Sequence, residues 1–229
     1  VVLRNQGQDA TAEALVREAL LMRQKLLGKE HPDVALSLHN LAIMLSDQGR
    51  YTAAEALHRE ALAMNRKLLG KEHPDVAWSL LCLADVLESQ GQFAAAEALI
   101  RETLLMRQKL LGKEHPDVAR SMNSLAAVLS RQGQYAAAEA LFREALTMSQ
   151  KLLGSEHPHV ARSLDNLAAV VSRQGQHAAA EALIREALLM RQKLLGKEHP
   201  LVAGSLNNLA AVLQGQGQHA AAEALYREA

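Results

Sequence analysis

The chain has 229 residues, 49% of them hydrophobic and 22% charged, with 25 Lys and Arg against 25 Asp and Glu. A net charge of zero gives no overall pull toward nucleic acid or an anionic membrane, so any charge selectivity has to be local. No apolar run approaches the roughly 20 residues that span a bilayer, and the single cysteine, Cys82, cannot form an internal disulfide, which fits a reducing compartment such as the cytoplasm or indifference to redox state.

In chain order, Val1 to Gln6 reads as the end of a helix, and a second helix is predicted from about Asp9 to Leu27. At Leu26 the phrase LLGKEHPDVA begins, and it returns at Leu68 and Leu110, then as LLGSEHPHVA at Leu152 and LLGKEHPLVA at Leu194. The prolines Pro32, Pro74, Pro116, Pro158 and Pro200 each fall 42 residues after the last. A fixed period in this range marks a solenoid, in which a unit cannot bury its apolar face alone and does so by stacking on its neighbours.

Each period predicts two helices. In the stretch after Pro158, Leu164, Leu167, Ala168 and Val171 share one helical face, and Gly175 supplies a left-handed stop. Proline suits the first helical position, where a missing N–H costs nothing, and Asp33, Asp75 and Asp117 complement the positive helix end. After the turn QGQH, Ala180, Leu183, Ala187, Met190 and Leu194 define the face of a longer second helix that Gly196 ends. Residues 1–229 are therefore expected to form one array. It consists of partial repeat 1–31, full repeats 32–73, 74–115, 116–157 and 158–199, and partial repeat 200–229. Its uncapped ends should favour end-to-end self-association.

The series Leu164, Leu167, Ala168, Val171, Gly175, Ala180, Ile184, Ala187 resembles the tetratricopeptide signature, with Leu at the Trp position and Ala at the small Gly position. The prolonged second helix, the NNLA phrase and the LGxxHPxVA connection are similar to the repeats of kinesin light chains and related bacterial proteins. The resemblance implies an all-α fold, a right-handed α-solenoid of antiparallel helical hairpins. It also implies a non-catalytic protein- or peptide-binding scaffold. A structural or sensor arm of a larger signalling or effector protein is the alternative.

Most tempting chemistry is absorbed by the repeat. His31, His73, His115, His157 and His199 occupy one loop position each, too far apart for a shared metal, and are expected to cap the following helices. His157 and His159 flank Pro158 as a local pair. Met22, Met64, Met106, Met148 and Met190 recur in phase and are read as core filling, and Cys82 as an inert thiol. No HExxH, P-loop, Gly-x-Ser-x-Gly or paired CxxC occurs, so no enzyme, metal or cofactor is expected.

The positions that differ between repeats are the informative ones. On the first helix of successive repeats, Trp78, Leu81, Asp85 and Glu88 form one stripe, Arg120, Asn123, Ala127 and Arg131 the next, and Arg162, Asp165, Ala169 and Arg173 the third. An aromatic and an aliphatic side chain beside guanidinium groups suit a short acidic peptide with an aromatic anchor. The resemblance implies that first-helix asparagines hold a partner's main chain, which selects Asn40, Asn166 and Asn208, with Asn123 and Asn207 one position earlier. An amide can both donate to a carbonyl and accept from an N–H. Cys82 and Ser124 depart from that pattern. Arg107 and Arg191, on the second helices, are expected on the outer face, and Arg162 and Asp165 are spaced to pair with each other.

Overall fold

The computed structural model describes residues 9–229, which form eleven α-helices and no strand. The segment Val1 to Gln6 lies outside the described residues. In chain order the helices are α1 (Asp9–Leu27), α2 (Pro32–Asp47), α3 (Tyr51–Leu69), α4 (Pro74–Ser89), α5 (Phe93–Leu111), α6 (Pro116–Arg131), α7 (Tyr135–Leu153), α8 (Pro158–Arg173), α9 (His177–Leu195), α10 (Pro200–Gly215) and α11 (His219–Glu228). The five helices that start on proline are each 16 residues long, and α1, α3, α5, α7 and α9 are each 19. The fold is an all-α solenoid of helical hairpins.

The loop histidines start the shorter helices. Each takes an extended backbone, and its Nδ1 accepts the N–H two residues on, at 3.1 Å from Asp33 to His31 and from Asp75 to His73, and at 3.2 Å from His159 to His157. One of the four N–H groups that every helix start leaves unpaired is thereby satisfied, and proline at the first helical position removes another. The opposite end of α2 closes by a Schellman motif. Arg50 N–H reaches Leu45 C=O at 2.9 Å and Gly49 N–H reaches Ser46 C=O at 2.9 Å, a path that needs the left-handed φ of 76° at Gly49.

The chain divides into two compact units, Val1–Leu110 and Leu111–Ala229. In the first, Leu38, Leu41 and Leu45 of α2 pack with Leu20, Ala54 and Ala61, and Val16, Leu57 and Met64 cover the margin. In the second, Val160, Ala161 and Leu164 of α8 pack with Ala187 and Met190 of α9. Small residues in the second helices let the helices approach closely. The methionines are not uniformly core. Met106 and Met190 are buried and Met64 and Met148 half-buried, whereas Met22 in α1 is 55% exposed. Its phase is that of the others, but phase alone does not supply a covering neighbour.

Successive hairpins are also tied by ion pairs in register. Lys67 binds Glu30 and Lys109 binds Glu72 in the first unit, both at 2.5 Å, and Lys151 binds Glu114 at 2.6 Å in the second, where Lys193 also meets Glu156. All are exposed on both sides, so they set register more than they add stability, about 0–1 kcal/mol for pairs of this kind.

Candidate functional site

In the first unit the distinctive side chain is Trp78 on α4. It is half-buried and stands edge-on to His39 of α2, with ring centroids 4.5 Å apart. Concavities open on two sides of it. One, of about 150 Å³, is lined by Pro32, Asp33, Leu36, Asn65 and Asp75. The other, of about 370 Å³, is lined by Ile43, Ser46, Asp47, His58, Cys82, Asp85 and Val86. Each carries two carboxylates, so the surroundings of Trp78 are acidic. Asp85 is exposed at the rim of the larger concavity, yet the protein crowding it pushes its carboxyl up to about 6. Cys82 is 9% exposed, and burial first, then the Asp85 charge, pushes its thiol up to about 12, which makes it inert. Leu81 is half-buried and Asn40 is exposed on α2.

Beneath this surface runs a chain of buried polar groups that hydrophobic periodicity does not reveal. Ser79 donates to the Asp75 carbonyl at 2.7 Å, accepts from Asn65 Nδ2 at 3.0 Å and meets His39 Nε2 at 2.8 Å. His39 Nδ1 in turn faces His58 Nδ1 at 2.7 Å. Both rings are nearly fully buried, which lowers their pKa values to about 3 for His39 and about 4 for His58, so both are neutral at pH 7. One signal was available. The serines Ser37, Ser79, Ser121, Ser163 and Ser205 recur in every repeat, each 14 residues after a polar residue of the preceding helix. A polar pair that keeps phase with the core faces a partner, not water.

In the second unit Arg120 of α6 and Arg162 of α8 occupy equivalent exposed positions. Arg120 reaches Asp117 at 3.1 Å. Arg162 contacts the His159 ring at 3.3 Å, and no carboxylate among the described residues pairs with it. Crowding by protein, followed by repulsion from Arg120, lowers the Arg162 pKa, and the same two guanidinium groups help hold His159 neutral after burial. His159 stacks on His157 with centroids 5.1 Å apart. A mainly apolar concavity of about 200 Å³, lined by Pro158, His159, Arg162, Arg191, Leu194, Leu195 and Leu201, adjoins them.

The remaining expected residues separate by burial. Asn207 and Asn208 are exposed on α10, and Asn166 is half-buried on α8. Asn123 is 8% exposed, and its amide is engaged inside the hairpin stack by the Ala119 carbonyl at 3.1 Å and Ser163 Oγ at 3.2 Å. Two expectations are corrected. Arg107 and Arg191 do not lie on an outer face, being 8% and 9% exposed. Asp165 does not pair with Arg162 but with Arg191, which also donates to Ser205. The physical reason is helical phase. These arginines share the register of Asn65, the side of the second helix that packs on the following hairpin. Asp165 Oδ1 is buried without a protein partner, and burial raises its pKa against the opposing pull of Arg191.

Among the described residues, no three His, Cys, Asp or Glu side chains converge to hold a metal ion, and no helix is long and apolar enough to cross a membrane.

Models of the tetratricopeptide repeat match residues 1–33, 34–75, 75–151, 125–192 and 160–229. Among solved structures, BtubC (BKLC) from P. vanneervenii is 26% identical, covering 97% of this chain and 88% of its own, with a TM-score of 0.75. A Podosopora anserina protein of nearly identical, kinesin light chain-like TPR-like repeats is 31% identical, covering 87% of this chain and 94% of its own, with a TM-score of 0.71. No curated protein sequence gives a significant match.

Proposed function

The chain belongs to the tetratricopeptide-repeat family in its kinesin light chain-like form, whose fold is that of a protein–protein interaction scaffold, and we propose that it holds an extended acidic segment of a protein partner on α6 and α8. The reading is of binding without catalysis. One observation carries it: Arg120 and Arg162 are exposed, close enough to repel each other, and Arg162 has no carboxylate of its own. A like-charged pair held together by a rigid scaffold is stabilised by an anion that bridges it, and guanidinium forks suit carboxylates. Asn166 on the same helix offers an amide that can pair with the N–H or C=O of an extended main chain.

Charge-assisted hydrogen bonds contribute about 1.5–3 kcal/mol each when partly desolvated, so reversing both arginines should weaken binding by more than about tenfold. The test is calorimetric titration of an acetylated penta-glutamate peptide into wild type, R120E/R162E and K113E/K197E. The last pair changes charge equally at exposed loop positions. Loss confined to R120E/R162E, and weakening of the wild-type complex at raised salt, are expected. Equal loss in both variants would reduce the effect to net charge and overturn the assignment.

A further inference from the structure

The concavity of about 370 Å³ beside Trp78 in the first unit presents an unshared nitrogen lone pair next to its carboxylates, and this follows from tracing one hydrogen along the buried polar chain beneath it. The Ser79 hydroxyl has one proton, which it gives to the Asp75 carbonyl at 2.7 Å. Ser79 Oγ then has to accept from both of its other neighbours, Asn65 Nδ2 and His39 Nε2. His39 is neutral, so with its proton on Nε2 its Nδ1 is a bare lone pair, and the facing His58 Nδ1 at 2.7 Å has to be the donor. His58 is neutral as well, and its single proton is thereby used. Its Nε2 is left as a lone pair.

His58 is 1% exposed, no group among the described residues hydrogen-bonds its Nε2, and its ring lines the concavity. Beside it stand the carboxylates of Asp85 and Asp47 and the indole of Trp78. Asp85 has no ion pair among the described residues. The pocket thus offers a nitrogen lone pair, carboxylate oxygens and an aromatic wall, and a complementary occupant has to be a cation that carries several N–H donors. A bare metal ion does not fit, because no three ligating side chains of the described residues converge. A guanidinium does fit. It is planar, offers five donors in a fixed fork, and stacks on aromatic rings, whereas an ammonium offers three donors from one point. A volume of about 370 Å³ holds one long side chain, not a folded element.

We propose that the pocket formed by α2, α3 and α4 around Trp78, Asp85 and His58 captures an arginine side chain of a protein partner. The proposal rests on the reading of the chain as a protein-binding scaffold, but on none of the residues assigned to the acidic segment. A guanidinium against Asp85 also supplies the counter-charge that its crowded carboxylate lacks, so occupancy should bring that carboxyl back toward the ordinary carboxylate range.

Trp78 is the only tryptophan, so its fluorescence reports on this pocket and on the smaller concavity at its other side, and the Asp85 variants assign the response to this one. The intact chain is titrated with acetyl-Gly-Arg-Gly-amide, with the lysine counterpart, and with the neutral citrulline counterpart, which keeps the shape and loses the charge. A saturable fluorescence change is expected for arginine, severalfold weaker binding for lysine and none for citrulline. The His58 Nε2 resonance should shift on binding as its lone pair gains a donor. D85N should weaken arginine binding at least fivefold, and D85K, which brings its own cation, should abolish it, while R120E/R162E should leave it unchanged. Equal responses to arginine and citrulline, or undiminished binding by D85N, would overturn the proposal. So would a His58 shift produced by zinc chloride with none from the arginine peptide. Because R120E/R162E and D85N are read with different probes, either reading can fail without the other.

Discussion

Removing the Arg191 side chain should damage the second unit more than any surface substitution, because it leaves a carboxylate buried and alone. Asp165 and Arg191 side chains are each only 10% exposed, and Asp165 Oδ1 already lacks a protein partner. Breaking a buried pair by deleting one member typically costs about 3–5 kcal/mol, whereas replacing both by apolar or neutral groups is often nearly neutral. R191M keeps most of the volume and loses the charge, so a loss of about 3 kcal/mol is expected at pH 7. D165N in the same background should recover much of it. Urea unfolding followed by circular dichroism on wild type, R191M, D165N and the double variant gives the coupling energy, expected to exceed about 1.5 kcal/mol. The pH response provides an internal check. The Asp165 pKa is raised in the folded state and should rise further without Arg191, so the folded form gains a proton that the unfolded form lacks. Stability lost at neutral pH should therefore return as pH falls toward that raised pKa, and the deficit of R191M should narrow in acid. A loss below about 1 kcal/mol with additive single effects would refute the assignment of Arg191 to the interior.

The His39–His58 pair predicts the opposite pH response. Both folded pKa values are lowered, to about 3 and about 4, against an ordinary 6.5, so the unfolded chain binds protons that the folded chain refuses. Stability should decline as pH falls below about 6.5 and go on falling to about pH 3, by a few kcal/mol in all, and H39L/H58L should flatten that slope in acid titration monitored by helicity. At the helix starts, H73A should lose about 1 kcal/mol in urea unfolding while H73N, whose side-chain oxygen can replace Nδ1, should lose a few tenths.

The architecture was legible because one strong signal repeats. The interval between Pro32 and Pro74 fixes the period, the Leu164 to Val171 face fixes the helix phase, and the glycines at 175 and 196 fix the ends, so α8 and α9 lie within a residue or so of where the pattern puts them. The capping histidines were legible for the same reason. What periodicity could not provide was the partner of a polar residue that keeps core phase. Arg191 reads as surface because arginine usually is, and only the hairpin that follows buries it, 14 residues on at Ser205. Asn123 reads as a groove amide for the same reason, yet its contact is Ser163, 40 residues away. Trp78 was legible as distinctive, but its acidic surroundings come partly from Asp33 and Asp47 of the preceding hairpin, which its own stripe does not contain.

The central claim, that the arginines of α6 and α8 receive a partner's carboxylates, is tested most directly at their own side chains. Selective labelling of arginine Nε–Hε groups lets each guanidinium be followed by NMR while acetylated penta-glutamate is added. The resonances of Arg120 and Arg162 should move together along one saturable curve and return at raised salt, with Arg185, which is paired to Glu181 at 2.8 Å on α9, staying in place. Movement of Arg185 equal to that of Arg120 and Arg162, or no movement of the latter two at saturating peptide, would contradict the account.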